Sequence, residues 1–164
     1  MKINGKHYRS VWPADNGIDV CIFDQTKLPF EVSIITLTTM EEAATSIKDM
    51  WVRGAPLIGA VAAYGVALAM HHDSSDAALK KAYDVLVATR PTAINLKWAL
   101  DRICGALTPL PAAERGDAAY RIAAEIADED AEICHRIGEH GLTIIRDIAA
   151  RKKPGEPVNI LTHC

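Results

Sequence analysis

The chain has 164 residues, 49% of them hydrophobic and 24% charged, and carries a net charge of -3. That size and balance describe one soluble globular domain, with at most a small appendage, that can build a real core. The weakly acidic charge excludes an electrostatic case for nucleic acid or an anionic membrane as partner.

The first 37 residues read as strands and turns. Val20-Cys21-Ile22-Phe23 and Val32-Ser33-Ile34-Ile35 are β-rich, and Gln25 to Pro29 between them carries the turn chemistry. From there the pattern is helical. Thr39 followed three residues later by Glu42 is a capping box, which predicts a helix to about Met50. Arg53-Gly54-Ala55-Pro56 then opens into a run with no charged residue from Gly54 to Met70. Proline suits a first helical turn because its missing N–H would have no partner there. The run is short for a membrane span, rich in alanine and holds Gly59 and Gly65, so it predicts a buried core helix ending near His71-His72-Asp73.

Ser74 or Ser75 caps the next helix, which runs to about Ala88 with Leu79, Tyr83 and Leu86 on one stripe. Thr89-Arg90-Pro91-Thr92 breaks it, since proline disfavours helical geometry in the residue before it. A further helix extends to about Leu107, followed by a turn at Pro109 and Pro111. From Asp117 a long amphipathic pattern places Ile122, Ile126, Ile133 and Ile137 near one face, with Gly138 and Gly141 marking a bend or break before more helix to about Ala150. The expected organisation is α+β: a mostly helical domain with a small β section over 1–150, a solvated linker over 151–157, and over 158–164 the first strand of another domain. A lone apolar strand cannot satisfy its own backbone, so it either pairs back with the first 37 residues or, the favoured reading, finds its sheet on polypeptide beyond this chain, because linker followed by strand is how a domain begins.

Several residues carry chemistry. Free N–H groups at a helix start with the Arg53 guanidinium beside them suit a phosphate or other dianion, although the same turn also serves as a plain helix start. Arg90 is a second cation ahead of a helix, able to clamp a phosphate, orient sugar hydroxyls or simply form a capping salt bridge. Cys164 ends the expected strand, where α/β folds collect ligand-binding residues; its alternative is a buried inert thiol. Neighbouring His163 points to the opposite face of such a strand and is badly placed to activate it. Cys134, His135 and His140 match no ordinary zinc spacing, and His71-His72-Asp73 merely complements a helix dipole. Four cysteines without a CxxC pair favour reduced cytosolic thiols, and residues 1–20 lack a signal-peptide pattern.

Taken in order, Phe23-Asp24-Gln25 with Leu28-Pro29, Val52 to Gly59, Thr89 to Leu96, Ile137-Gly138-Glu139-His140-Gly141 and Asn159 to Cys164 resemble the 5-methylthioribose-1-phosphate isomerases of methionine salvage. That superfamily also includes ribose-1,5-bisphosphate isomerases and the regulatory subunits of translation initiation factor 2B. The resemblance implies a helical amino-terminal domain followed by a Rossmann-like domain that is absent here beyond its first strand. It implies a cytoplasmic aldose–ketose isomerase, an intramolecular oxidoreductase that uses no metal or organic cofactor and forms a homodimer. Arg53, Gly54, Ala55 and Arg90 would bind the sugar phosphate, and Cys164 would be the active-site cysteine. A sugar with phosphate on its anomeric oxygen opens only when its ring oxygen is protonated, so an acid is needed beside a group that relays hydrogen between C2 and C1. The family's acid lies in the Rossmann-like part, which leaves residues 1–164 inactive alone. The alternatives are a non-catalytic regulatory or nucleotide-sensing subunit, or a ribose-1,5-bisphosphate isomerase.

Overall fold

The computed structural model describes residues 2–163. The described residues form β1 (Lys2–Ile3), β2 (Lys6–His7), β3 (Val11–Pro13), β4 (Val20–Phe23), β5 (Ile34–Leu37), α1 (Met40–Lys48), α2 (Ala55–His72), α3 (Asp76–Thr89), α4 (Ile94–Leu107) and α5 (Ala112–Ala150). Contacts divide the chain into two compact units, Met1–Ala127 and Asp128–Cys164.

In the first unit β1 and β2 form a small hairpin, while β3, β4 and β5 pair antiparallel in chain order. Val11 lies opposite Ile22 and Val20 opposite Leu37. Strand alternation turns these four onto one face, where they are buried and join the core of the helices. The last strand starts at Ile34, two residues later than the β-rich run begins. The chain before it is a loop, organised by the Thr26 amide and hydroxyl donating to the Asp24 carboxylate at 3.0 and 2.6 Å.

The helix starts agree with their capping chemistry. Thr39 caps α1 and accepts from the Glu42 amide, while Glu42 accepts from the Thr38 and Thr39 amides at 2.6 and 3.2 Å. The Thr38 amide, followed by the hydroxyls and the Thr39 amide, holds the Glu42 carboxyl below its usual value of 4.5. A carboxylate with a lowered folded pKa stabilises above the unfolded value and loses that contribution as pH falls through the folded one. Thermal melts between about pH 3 and 6 are therefore expected to show wild type losing an increment that Glu42→Gln lacks. Thr39→Ala is expected to cost about 1 kcal/mol at neutral pH. Equal pH slopes for wild type and Glu42→Gln would exclude the capping role. Ser75, rather than Ser74, caps α3 by accepting from the Ala78 amide.

The first unit is built around α2. By length and composition this helix could cross a membrane, yet it is buried from Ile58 to Leu68. Its small residues let neighbours approach: a Cβ on Gly65 would sit 3.0 Å from the Ala43 Cβ of α1 and 3.2 Å from Leu86 of α3. At the far end Arg115, only 5% exposed, locks three elements. It donates to the carbonyls of Leu107 and Thr108 at the end of α4, of Leu110 in the turn, and of Ser74 after α2. Its guanidinium also pairs with Asp76 of α3 at 2.6 Å.

Two expectations are corrected around α5. The helix begins at Ala112, straight after Pro111, five residues ahead of Asp117. It is unbroken at Gly138 and Gly141: a helical glycine costs about 1 kcal/mol relative to alanine, which an established helix absorbs. In the second unit Ile133 and Ile137 are 48% and 66% exposed, while Ile122 and Ile126 of the same pattern are buried in the first unit. Residues 151, 154 and 155 lie in turns and residue 152 in a bend. The strand expected over 158–164 is not formed at 158–163, where no described segment offers a ladder partner, and a strand exists only when a neighbour pairs with it.

Candidate functional site

The arginine-bearing turns meet at one end of the first unit because α2 and α4 run in the same direction. Near their starts, a Cβ on Gly59 would lie 2.8 Å from the Asn95 carbonyl oxygen and 3.3 Å from the Ala99 Cβ. Near their ends, Arg115 joins the Leu107 carbonyl to that of Ser74. Arg53, just ahead of α2, and Arg90, three residues ahead of Ala93 at the start of α4, therefore share one end. Arg53 is exposed and Arg90 half-buried. Two arginines 37 positions apart in sequence thus lie at the same end of the α2–α4 pair.

These two helix starts differ from those of α1 and α3. Thr39 and Ser75 cap the latter with side chains, whereas Gly54 and Ala93 make no side-chain cap. Among the described residues the Ala55 and Leu57 amides in the first turn of α2 meet no side-chain cap, Pro56 has no N–H, and the Ile58 amide bonds the Gly54 carbonyl at 3.1 Å. Gly54 has φ +105°, a conformation open to glycine and strained for any residue with a side chain. A Cβ there would meet nothing closer than the Leu57 Cβ at 4.0 Å, so backbone conformation, not crowding, demands the glycine. Together the guanidinium, uncapped amides and open approach match the needs of a phosphate.

A further support was not anticipated from sequence. The Gln25 amide donates to the Trp51 carbonyl at 2.8 Å, tying the β4–β5 loop to the segment that presents Arg53. Asp24 in the same loop is a buried carboxylate, 6% exposed, and its Oδ1 is engaged by Thr26. Its role is to shape the turn. Nothing in periodicity or spacing signals such a backbone tether, although Phe23-Asp24-Gln25 stood out as a pattern.

Cys164 lies outside the described residues. Among the other thiols, burial and then the Asp101 charge push Cys104 up to about 12, which keeps it protonated and inert, while Cys134 is exposed. Among the described residues no three His, Cys, Asp or Glu side chains gather in a way that holds a metal. At the opposite end of α2 a shallow groove is lined by Thr39, Glu41, His72 and Lys81, with a Lys81–Glu41 ion pair of 2.9 Å across it.

The segment from Trp51 onward, which holds both arginines, matches the model of the initiation factor 2 subunit family over residues 51–164. The chain belongs to the initiation factor 2 subunit family. Within it, the chain is 60% identical over all 164 residues to a methylthioribose-1-phosphate isomerase of Escherichia coli, of which it covers 44%. The crystal structure of 5-methylthioribose 1-phosphate isomerase from Pyrococcus horikoshii is similar, with TM-score 0.76 and 38% identity over 83% of this chain and 40% of that one. The translation initiation factor eIF-2B subunit delta from A. fulgidus is similar with TM-score 0.69 and 38% identity, over 77% of this chain and 38% of that one. The chain thus spans less than half the length of these members of the initiation factor 2 subunit family.

Proposed function

We propose that this chain is the amino-terminal part of an aldose–ketose isomerase that converts 5-methylthioribose 1-phosphate to 5-methylthioribulose 1-phosphate in the cytoplasm, working as a homodimer. The observation that carries this reading is the close Gly59–Asn95 approach, which sets Arg53 and Arg90 at one end of two parallel, uncapped helices. In this reading Arg53 and the Ala55 and Leu57 amides hold the substrate phosphate, Gly54 keeps the approach open, and Arg90 binds the phosphate or the sugar hydroxyls. Cys164 stands near the reacting carbons. The acid that protonates the ring oxygen comes from polypeptide beyond this chain, in a Rossmann-like domain that the 158–164 segment would enter as a strand once its ladder partner is present.

A non-catalytic regulatory subunit is the second reading, supported by the likeness to the archaeal initiation factor subunit. The isomerase likeness extends over more of the chain at a higher TM-score, which favours the enzyme.

The test uses the complete polypeptide carrying this chain. Wild type is expected to turn over 5-methylthioribose 1-phosphate, and Arg53→Ala to raise KM by roughly tenfold to a hundredfold, the worth of a lost charge-assisted hydrogen bond. Substrate is expected to protect Cys164 from alkylation, with Cys104 unreactive throughout as an internal control. Absence of turnover by the complete polypeptide would move the assignment to the regulatory reading. An unchanged KM in Arg53→Ala would remove Arg53 from the phosphate site.

A further inference from the structure

Helices α3 and α4 form a hairpin that carries Arg90 in its turn, and the backbone there holds that residue loosely. Unlike the C-caps of α1, α2 and α4, Arg90 donates no backbone bond into the helix it ends. Its φ of -146° and ψ of 81° already leave helical geometry, as a following proline favours. The Arg90 carbonyl accepts from the Ala93 amide at 3.0 Å. Among the described residues its guanidinium has no hydrogen-bond or ion-pair partner. Where Arg90 sits therefore depends on how the two helices meet.

Apolar contact between helices is non-directional and tolerates sliding. A hydrogen bond does not. The Tyr83 hydroxyl donates to Oδ1 of Asp101 at 2.7 Å across the hairpin. The two residues lie equally far from Thr92 in the turn, so the bond joins facing positions and fixes the register of α3 on α4. The Tyr83 ring packs against the core, which steadies its hydroxyl. From one turn earlier on α4, Lys97 donates to Oδ2 of Asp101 at 2.6 Å. That ammonium, followed by the hydroxyl, holds the Asp101 carboxyl below its usual value of 3.8, and Asp101 raises Tyr83 above its usual 10.0. Donor and ionised acceptor thus persist across neutral pH, and a bond to a charged acceptor is the stronger kind. The exposed pairs Lys80–Asp84 and Arg121–Glu125, by contrast, join residues four apart on one helix and do not bear on how helices meet. We propose that Tyr83 and Asp101 are positioning residues that set Arg90 in the sugar-phosphate site by fixing the α3–α4 hairpin. For its effect on KM the proposal rests on the reading of Arg90 as a substrate-binding group; for its effect on the turn it rests on the hairpin alone.

The test is made on the complete polypeptide. Tyr83→Phe keeps the ring and removes only the hydroxyl. It is expected to raise KM for 5-methylthioribose 1-phosphate about threefold to tenfold, with kcat changed by less than about twofold. Asp101→Asn keeps an acceptor for the hydroxyl and should fall between wild type and Asp101→Ala. On an Arg90→Ala background Tyr83→Phe is expected to add nothing to KM, since a residue that acts through Arg90 has nothing left to position. Lys81→Met breaks the ion pair between α3 and α1 and should leave KM unchanged. Hydrogen exchange over residues 89–94 reads the turn without substrate, and it is expected to quicken about fivefold in Tyr83→Phe. Unchanged exchange there would overturn the proposal. So would effects of Tyr83→Phe and Arg90→Ala on KM that multiply independently. Faster exchange in a polypeptide that fails to turn over the sugar phosphate would uphold the hairpin clasp and remove the isomerase reading instead.

Discussion

Arg115→Ala is expected to destabilise the first unit by about 3–5 kcal/mol, lowering its thermal midpoint by roughly 10 °C. The guanidinium is buried and reaches four backbone carbonyls from three stretches of chain: Ser74, Leu107 with Thr108, and Leu110. Truncation leaves those oxygens without their donor in a place water reaches poorly, and each buried unsatisfied group costs on the order of 1–3 kcal/mol. Two of the oxygens belong to the end of α4, where the final carbonyls have no helical partner of their own. The ion pair with Asp76 is the minor part, because that carboxylate is 88% exposed and water screens it. Asp76→Asn is therefore expected to cost less than about 1 kcal/mol. Arg115→Lys should fall much closer to alanine than to wild type, since a single ammonium cannot span the carbonyls a planar fork does. Denaturant unfolding of the three variants decides the matter. A loss in Arg115→Ala no larger than that in Asp76→Asn would show that the carbonyl contacts contribute nothing.

Gly59→Ala is the second large effect, and it couples stability to the site. The added Cβ would lie 2.8 Å from the Asn95 carbonyl oxygen, which is backbone and cannot swing aside as a side chain would. The start of α4 must move, at an expected cost of about 2–3 kcal/mol. Arg90 lies just ahead of that start, so the movement also draws it away from Arg53. The complete polypeptide carrying Gly59→Ala is expected to show KM for the sugar phosphate raised about tenfold, corresponding to about 1.4 kcal/mol of lost binding. Gly105→Ala supplies the contrast: a Cβ there meets nothing within 4 Å, so the change should be neutral or stabilise by up to about 1 kcal/mol. Unaltered stability and KM in Gly59→Ala would mean that the two helix starts are not held by this contact.

Much of this architecture was readable in the chain because its signals are local. Thr39 with Glu42 and the Ser74-Ser75 pair announce helix starts through hydrogen bonds spanning three residues, and Pro56 and Pro91 act through their own φ and missing N–H. The apolar run from Gly54 to Met70 could be read as the buried centre, since a helix hydrophobic all round has no solvent face. Gly138 and Gly141 misled because glycine's helical penalty is a small local term, and cooperativity along α5 outweighs it.

What packing alone decided is the meaning of residues whose partners are distant. Arg115 reads in sequence as one more charge on an amphipathic helix, yet it is the buried clamp of the first unit. Gly59 looks like a small residue in a core helix, and only the parallel course of α2 and α4 makes it the contact that brings Arg53 and Arg90 to one end. Gln25 gains its role from the Trp51 carbonyl, 26 positions away. Caps, turns and apolar periodicity are properties of a few adjacent residues and so are written in their order. A backbone carbonyl exposed at a helix end, or a missing methyl between two helices, acquires its consequence only once the chain has folded back on itself.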